Sequence, residues 1–85
     1  MFGSLPTNQN YMAKRIYSRP TDKKYLGNDN NGHMEVHNLN NEQPLCQIDE
    51  IIAADHAVVF SPDTLAQAHR EGFDNCAYCI GGSTR

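Results

Sequence analysis

The pattern of apolar and polar positions along the chain changes near residue 32. Residues 1–32 are rich in asparagine, glycine and proline, which favour turns over regular elements. The only apolar cluster of this segment contains Tyr11, Met12, Ile16 and Tyr17. We therefore expect a weakly structured N-terminal arm over residues 1–32, followed by a folded domain over residues 33–85.

Alternating side-chain character predicts two short strands in the second segment. Met34 and Val36 alternate with polar neighbours, and this period of two indicates a strand over residues 33–39. The apolar run AVVF predicts a second strand over residues 57–60. An asparagine-rich loop follows the first of these strands, so both strands are short and belong to a small sheet.

Helical spacing and capping residues predict two helices. Three isoleucines at helical spacing indicate a helical turn over residues 47–53. Ser61 suits an N-cap, Pro62 suits the first helical position, and the Asp63 carboxylate complements the helix dipole. We predict a helix over residues 62–71, which ends at the glycine that follows. These elements define an α+β fold with a short β-sheet and one well-capped helix.

Composition indicates that this fold needs an additional source of stability. The chain has 85 residues, 39% of them hydrophobic, and no tryptophan, with a mean hydropathy of -0.64. A core of this size is usually supplemented by a metal, a disulfide or a partner. Three cysteines are an odd number, which excludes a complete disulfide framework and favours metal-bound thiolates in a reducing compartment. The chain shows neither a signal-peptide pattern nor a membrane-length apolar run, so we expect a cytoplasmic protein.

The charge pattern argues against a general nucleic-acid binder. The net charge is -3, whereas nucleic-acid-binding domains usually carry a basic face. Five of the seven basic residues lie within eleven positions, namely Lys14, Arg15, Arg19, Lys23 and Lys24. This segment is either a solvated basic arm or a docking segment for an acidic partner.

The cysteines predict a metal site. Cys76 and Cys79 form a C-x-x-C pair, whose spacing lets both sulfurs turn toward one Zn²⁺ ion, and Cys46 supplies a third thiolate. A redox dithiol is one alternative, but that motif usually opens a helix after a strand, and here the pair follows a helix. Ordinary buried cysteines are the other alternative.

A tetrahedral zinc site of this kind needs a fourth ligand. His37 lies at the end of the first predicted strand, nine residues before Cys46, and the intervening loop can fold back. His33, His56 and His69 are alternatives, as is a water molecule. The predicted Zn²⁺ ligands are His37, Cys46, Cys76 and Cys79.

The order of these features resembles a known module. The chain carries His37, Cys46, the helix start Phe60-Ser61-Pro62-Asp63, and the ending Gly72-Phe73-Asp74-Asn75-Cys76-Ala77-Tyr78-Cys79. This order over residues 36–79 resembles the Ada-type metal-binding module, versions of which are attached to bacterial nucleases and other proteins. The resemblance implies an Ada-like zinc-binding domain over residues 33–85.

The resemblance does not extend to methyl transfer. In Ada-type repair domains a zinc-bound cysteine accepts a methyl group from a DNA phosphotriester. Four residues before Cys46, where that acceptor would lie, this chain has Glu42. A carboxylate is not an acceptor of that kind, so we expect a protein that is not an enzyme.

The expected function is that of a small structural zinc module that binds a protein partner. Nucleic acid is a partner that the net charge does not favour. A metal or redox sensor is the first alternative, with a Cys76–Cys79 disulfide as its oxidised form. A zinc-dependent enzyme is the second, with Glu42 or Asp49 as the base beside a zinc-bound water.

Overall fold

The computed structural model describes residues 13–83 and contains a five-stranded mixed sheet. Its strands are β1 (Lys14–Arg15), β2 (Tyr25–Asn28), β3 (Glu35–Asn38), β4 (Ala57–Val59) and β5 (Asp74–Asn75). The spatial order is β1-β4-β2-β3-β5, and each neighbouring pair is antiparallel except the parallel pair β3–β5. The helices are α1 (Ile48–Ala53) and α2 (Leu65–Arg70), and 3₁₀ turns cover Leu39–Asn41 and Pro44–Cys46. The predicted α+β class and short sheet are confirmed.

The segment expected to be a weakly structured arm contributes two strands of this sheet. β2 is its central strand, with Leu26 paired to His37 of β3 and Gly27 paired to Val58 of β4. Leu26 is completely buried. Residues 13–32 are therefore built into the fold, because strand pairing outweighs the turn-forming character of Gly27 and Asn28. Tyr11 and Met12 lie outside the described residues.

The two faces of the sheet carry separate apolar clusters, because successive side chains of a strand point to opposite faces. One cluster contains Leu26, Cys46, Ile48, Ile51, Ala57, Cys76 and Cys79. The other contains Val36, Val58, Phe60, Ala68 and Phe73. Helix α1 thus contributes to the cluster that holds the cysteines, and α2 contributes to the opposite one.

Gly27 is required by the close approach of two aromatic rings. Phe60 and Phe73 meet edge to face, with ring centroids 5.0 Å apart and an interplanar angle of 81°. A Cβ atom on Gly27 would lie 2.7 Å from Phe60 Cζ and 2.9 Å from Phe73 Cε2. The missing side chain at the centre of β2 therefore leaves the space that the aromatic pair fills.

The start of helix α2 differs from the prediction. The helix begins at Leu65 rather than residue 62, and its N-cap is Thr64, whose hydroxyl accepts a hydrogen bond from Gln67 N at 3.1 Å. The Asp63 carboxylate instead accepts from the backbone N–H groups of Lys24 and Tyr25, at 2.6 and 3.1 Å. Asp63 therefore fixes the entry into β2, and the helix starts two residues after it, at Leu65.

The predicted end of helix α2 at Gly72 is confirmed. Gly72 has a φ of +97°, a left-handed conformation that suits glycine. Its N–H donates to His69 O at 3.0 Å, and Phe73 N–H donates to Ala68 O at 3.0 Å. This pair of bonds is a Schellman motif, and it turns the chain from α2 into β5.

The helices are short. The two α-helices within residues 13–83 are each six residues long. Across residues 13–83, none of the helices has the length and apolar character that crossing a bilayer requires.

Candidate metal centre

The structure brings the four predicted ligands together. His37, Cys46, Cys76 and Cys79 each offer a ligand atom, and these atoms all lie within 4.8 Å of one another. All four residues are buried, with exposed fractions of 3%, 3%, 1% and 4% respectively. The three cysteines are free thiols. The cluster could therefore hold a metal ion.

Parallel pairing of β3 and β5 places His37 beside Cys76. Val36 is the register partner of Asn75, and Cys76 N–H donates to Val36 O at 3.0 Å. His37 and Cys76 are each the next residue after this pair, so their side chains lie on the same face of the sheet. That face is the one against which α1 packs.

Two 3₁₀ turns return the chain from His37 to the site at Cys46. Asn38 caps the first turn, and its side-chain oxygen accepts from Asn40 N at 2.9 Å. The second turn ends at Cys46, whose N–H donates to Gln43 O at 2.9 Å. The predicted return of the asparagine-rich loop is thus confirmed.

The C-x-x-C segment forms a tight knuckle around Cys76. Ile80 N–H and Gly81 N–H both donate to Cys76 O, at 3.1 and 2.9 Å. Tyr78 N–H points to Cys76 Sγ at 3.4 Å, and Asn38 N–H points to Cys79 Sγ at 3.2 Å. Backbone donors aimed at sulfur stabilise the negatively charged thiolate, which is the form that binds metal.

Two separations between ligand atoms are close to those of a tetrahedral site, and the others are at most 4.8 Å. Cys46 Sγ and Cys76 Sγ are 3.8 Å apart, and Cys79 Sγ and His37 Nδ1 are also 3.8 Å apart. Metal–sulfur bonds of about 2.3 Å and metal–nitrogen bonds of about 2.0 Å at tetrahedral angles require separations of roughly 3.8 and 3.5 Å. The four side chains therefore surround a volume suited to one ion.

The hydrogen bonding of His37 also fits a metal ligand. His37 Nε2 is buried and has no hydrogen-bond partner within the described residues, and Nδ1 contacts the sulfur of Cys79. A buried polar nitrogen without a partner is costly. This imidazole can bind a metal ion through one nitrogen without losing a conventional hydrogen bond.

Burial changes the proton affinity of the cluster. It lowers the pKa of His37 to about 4, against an opposing effect of the Glu42 carboxylate, so the ring is neutral at physiological pH. Burial raises the pKa of Cys46, and it raises that of Cys79 to about 12 despite the Asn38 N–H donor. A divalent cation would reverse this effect on the thiols and keep them deprotonated.

The other histidines have other surroundings. The cluster found within residues 13–83 contains none of them. His56 Nδ1 lies 3.2 Å from Asp29 Oδ1, and His69 Nε2 lies 2.6 Å from Asn75 Oδ1. His33 is exposed at a turn. Among the candidates for the fourth ligand, the geometry favours His37.

Glu42 and Asp49, the candidate bases, are both paired with Arg19. Arg19 donates to the two oxygens of Glu42 at 2.9 and 2.7 Å, and its Nε donates to Asp49 at 2.7 Å. The hydrogen bonds from Arg19 hold the pKa of Glu42 below its ordinary value. Another ion pair joins Arg15 to Asp29 at 2.7 Å. The two arginines of the basic segment therefore form ion pairs within the chain. These ion pairs were not predicted from the sequence, because the partners are distant along the chain.

Comparison with protein-family models, with curated proteins and with solved structures found no match for this chain. The Ada-type resemblance therefore stays an expectation. The fold and the site define a small α+β domain with a buried cluster of one histidine and three cysteines that could hold a metal ion.

Proposed function

We propose that this protein is a small zinc-binding module in which the metal ion stabilises the fold and the surface binds a protein partner. The convergence of four buried ligand atoms within 4.8 Å carries the proposal. These ligands come from β3, from the loop before α1 and from the knuckle after β5, so one ion would cross-link three separate parts of the chain.

The donor set favours zinc. Thiolate and imidazole ligands in tetrahedral geometry are typical of structural Zn²⁺ sites. Magnesium and calcium prefer oxygen ligands, and the cluster provides none. Three thiolates would also more than neutralise a divalent ion, which favours a borderline-soft metal over a hard one.

A structural role is supported over catalysis and sensing. Four protein ligands complete a tetrahedron, whereas a catalytic zinc keeps a position open for water or substrate. Glu42 and Asp49 are held by Arg19, so neither is a free base beside the site. Oxidation of thiols depends on access, and the three cysteines are at most 4% exposed. These features favour a site that holds the fold together.

The surface beside the site supports a protein partner. Leu45 is 63% exposed and precedes the ligand Cys46, while Tyr78 is 57% exposed and lies between the two knuckle cysteines. Residues 43–47 and 75–83 carry no charged side chain. Protein interface cores are depleted of charge and enriched in aromatic residues, whereas contacts to phosphate need lysine or arginine.

Metal removal tests the structural role. The circular dichroism spectrum should lose its native features when a strong zinc chelator is added, and one equivalent of Zn²⁺ should restore them. Structural zinc contributes about 10–16 kcal/mol, which is comparable with the whole stability of a domain, about 5–15 kcal/mol. Mg²⁺ is the control and should restore nothing. An unchanged spectrum and melting temperature after complete metal removal would refute the proposal.

Surface variants test the partner. A protein partner should co-purify with the native chain. The double variant Leu45→Ser/Tyr78→Ser should no longer retain this partner. Tyr17→Ser is the matched control, because Tyr17 is 71% exposed on the N-terminal segment. Equal retention by all three proteins would argue against this surface.

A further inference from the structure

Arg19 links the two chain segments on either side of Cys46, a predicted zinc ligand. Glu42 belongs to the loop that runs from His37 to Cys46, and Asp49 belongs to the first turn of α1 after Cys46. Arg19 binds both carboxylates through three hydrogen bonds of 2.7–2.9 Å. We propose that Arg19 is a positioning residue of the metal centre, which holds this loop against α1 and so fixes the position of the Cys46 sulfur. The inference rests on the proposed zinc-binding function.

The loop over residues 39–46 needs support from outside. It consists of two short 3₁₀ turns, and residues 40–45 are exposed while Cys46 is buried. On the knuckle side, Asn41 Nδ2 donates to Cys79 O at 3.0 Å. On the opposite side, Arg19 binds Glu42. The loop is thus held between the C-x-x-C knuckle and the N-terminal segment.

Arg19 is itself anchored by the residues before it. Ile16 N–H donates to Ala57 O at 3.0 Å, and the Ile16 side chain packs against the cluster that contains the cysteines. Arg15 pairs with Val58 in the sheet. An isolated exposed ion pair contributes little, because two mobile side chains must be ordered to form it. Here the backbone is already fixed three residues before Arg19, and the Glu42 contact is bidentate.

The size of the effect follows from the position of Arg19 relative to the ligands. Substitution of groups that hydrogen-bond a metal ligand directly costs about 10- to 100-fold in metal affinity. Arg19 acts one step further out, through the loop backbone. We therefore expect a smaller effect, at or below the lower end of that range. Zinc should dissociate about 3- to 10-fold faster from Arg19→Gln than from the native protein.

The experiment measures zinc release from the loaded full chain into excess chromogenic chelator. Arg15→Gln is the matched control, because Arg15 makes a similar 2.7 Å ion pair from the same segment but binds Asp29, outside the ligand loop. Glu42→Gln is the second variant, and it leaves the Arg19–Asp49 contact in place. Arg19→Gln and Glu42→Gln should both speed zinc release, while Arg15→Gln should change the rate by less than about 2-fold.

The two test variants separate geometry from charge. Arg19→Gln removes a positive charge near the site and Glu42→Gln removes a negative one, so an effect of charge alone would change zinc release in opposite directions. Measurement at high salt suppresses that long-range effect further. Faster release from both variants therefore indicates loss of loop position.

Each outcome identifies which claim fails. A native protein that binds no zinc would refute the proposed function itself. A native protein that binds zinc, with release unchanged in Arg19→Gln and Glu42→Gln, would overturn the role of Arg19 alone. Equal acceleration by Arg15→Gln and Arg19→Gln would also overturn it, because it would show general loss of stability. If Arg19→Gln does not fold, the rates of zinc release from Glu42→Gln and Arg15→Gln are compared instead. Faster release from Glu42→Gln alone would support the role of Arg19, and equal rates would overturn it.

Discussion

Substitution of Gly27 by alanine should destabilise the sheet by a steric effect that the structure quantifies. The added Cβ atom would lie 2.7 Å from Phe60 Cζ and 2.9 Å from both Phe73 Cε2 and Val58 Cγ2. Non-bonded carbon atoms prefer separations of about 3.5–4.0 Å. The three neighbours are buried side chains, and each must move by about 0.6–1.3 Å relative to the new Cβ atom to reach such a separation.

The net change in unfolding free energy follows from two opposing contributions. Overpacking a core costs about 1–3 kcal/mol. Alanine recovers about 0.5–1 kcal/mol, because glycine loses more backbone entropy when a strand forms. We therefore expect Gly27→Ala to lower the free energy of unfolding by about 0.5–2 kcal/mol, the difference of these two contributions.

Urea unfolding at a fixed free zinc concentration measures this change. The control is Phe60→Leu, which removes the Cζ atom that the new methyl group would contact. Gly27→Ala should cost less in the Phe60→Leu background than in the native chain, and a double-mutant cycle measures this coupling. Zinc stoichiometry should not change, because this face of the sheet lies opposite the cysteines. A Gly27→Ala protein as stable as the native one, or strictly additive effects, would refute the steric argument.

Two further predictions concern the Asp63 contact and the pH dependence of the metal site. Asp63→Ala leaves the backbone N–H groups of Lys24 and Tyr25 without their acceptor, so urea unfolding should show a loss of about 1–3 kcal/mol; Asp63→Asn, which keeps one acceptor oxygen, should lose less. Burial raises the pKa of Cys46 and raises that of Cys79 to about 12, so zinc binding must release a proton from each thiol. Apparent zinc affinity should therefore fall by at least about 100-fold per pH unit between pH 8 and 6, as measured by chelator competition, and a pH-independent affinity would exclude thiolate ligands.

The four residues of the cluster could be singled out from the sequence because three of them are the cysteines of the chain. Cys76 and Cys79 are separated by two residues, and Cys46 is the remaining thiol of the chain. Strand alternation placed His37 near the loop that leads to Cys46. The structure then brings all four together, through the β3–β5 pairing that no local pattern indicated. The end of α2 at Gly72 was likewise predictable from one residue type.

Strand β2 could not be predicted, because the residues that stabilise it as a strand are distant in sequence. Gly27 and Asn28 have the local character of turn residues. Gly27 fits the central strand only because Phe60 and Phe73 occupy the space above it. Long-range packing therefore overrides the local preference of this segment.

The start of α2 was misplaced for a related reason. Ser61 was the predicted N-cap, because Pro62 suits the first helical position and Asp63 the first turn. The structure uses the Asp63 carboxylate to bind the backbone of β2, at 2.6 Å from Lys24 N. That contact spans 39 residues, and it leaves Thr64 as the cap.

Native mass spectrometry of the protein purified without chelator, repeated under denaturing conditions, measures whether the buried cluster holds zinc. We expect one zinc ion per native chain, lost on denaturation, and lower zinc retention in His37→Ala. A metal-free native mass from a compact chain with all three thiols free would contradict this expectation. That result would mean that the four buried side chains pack together without a metal ion.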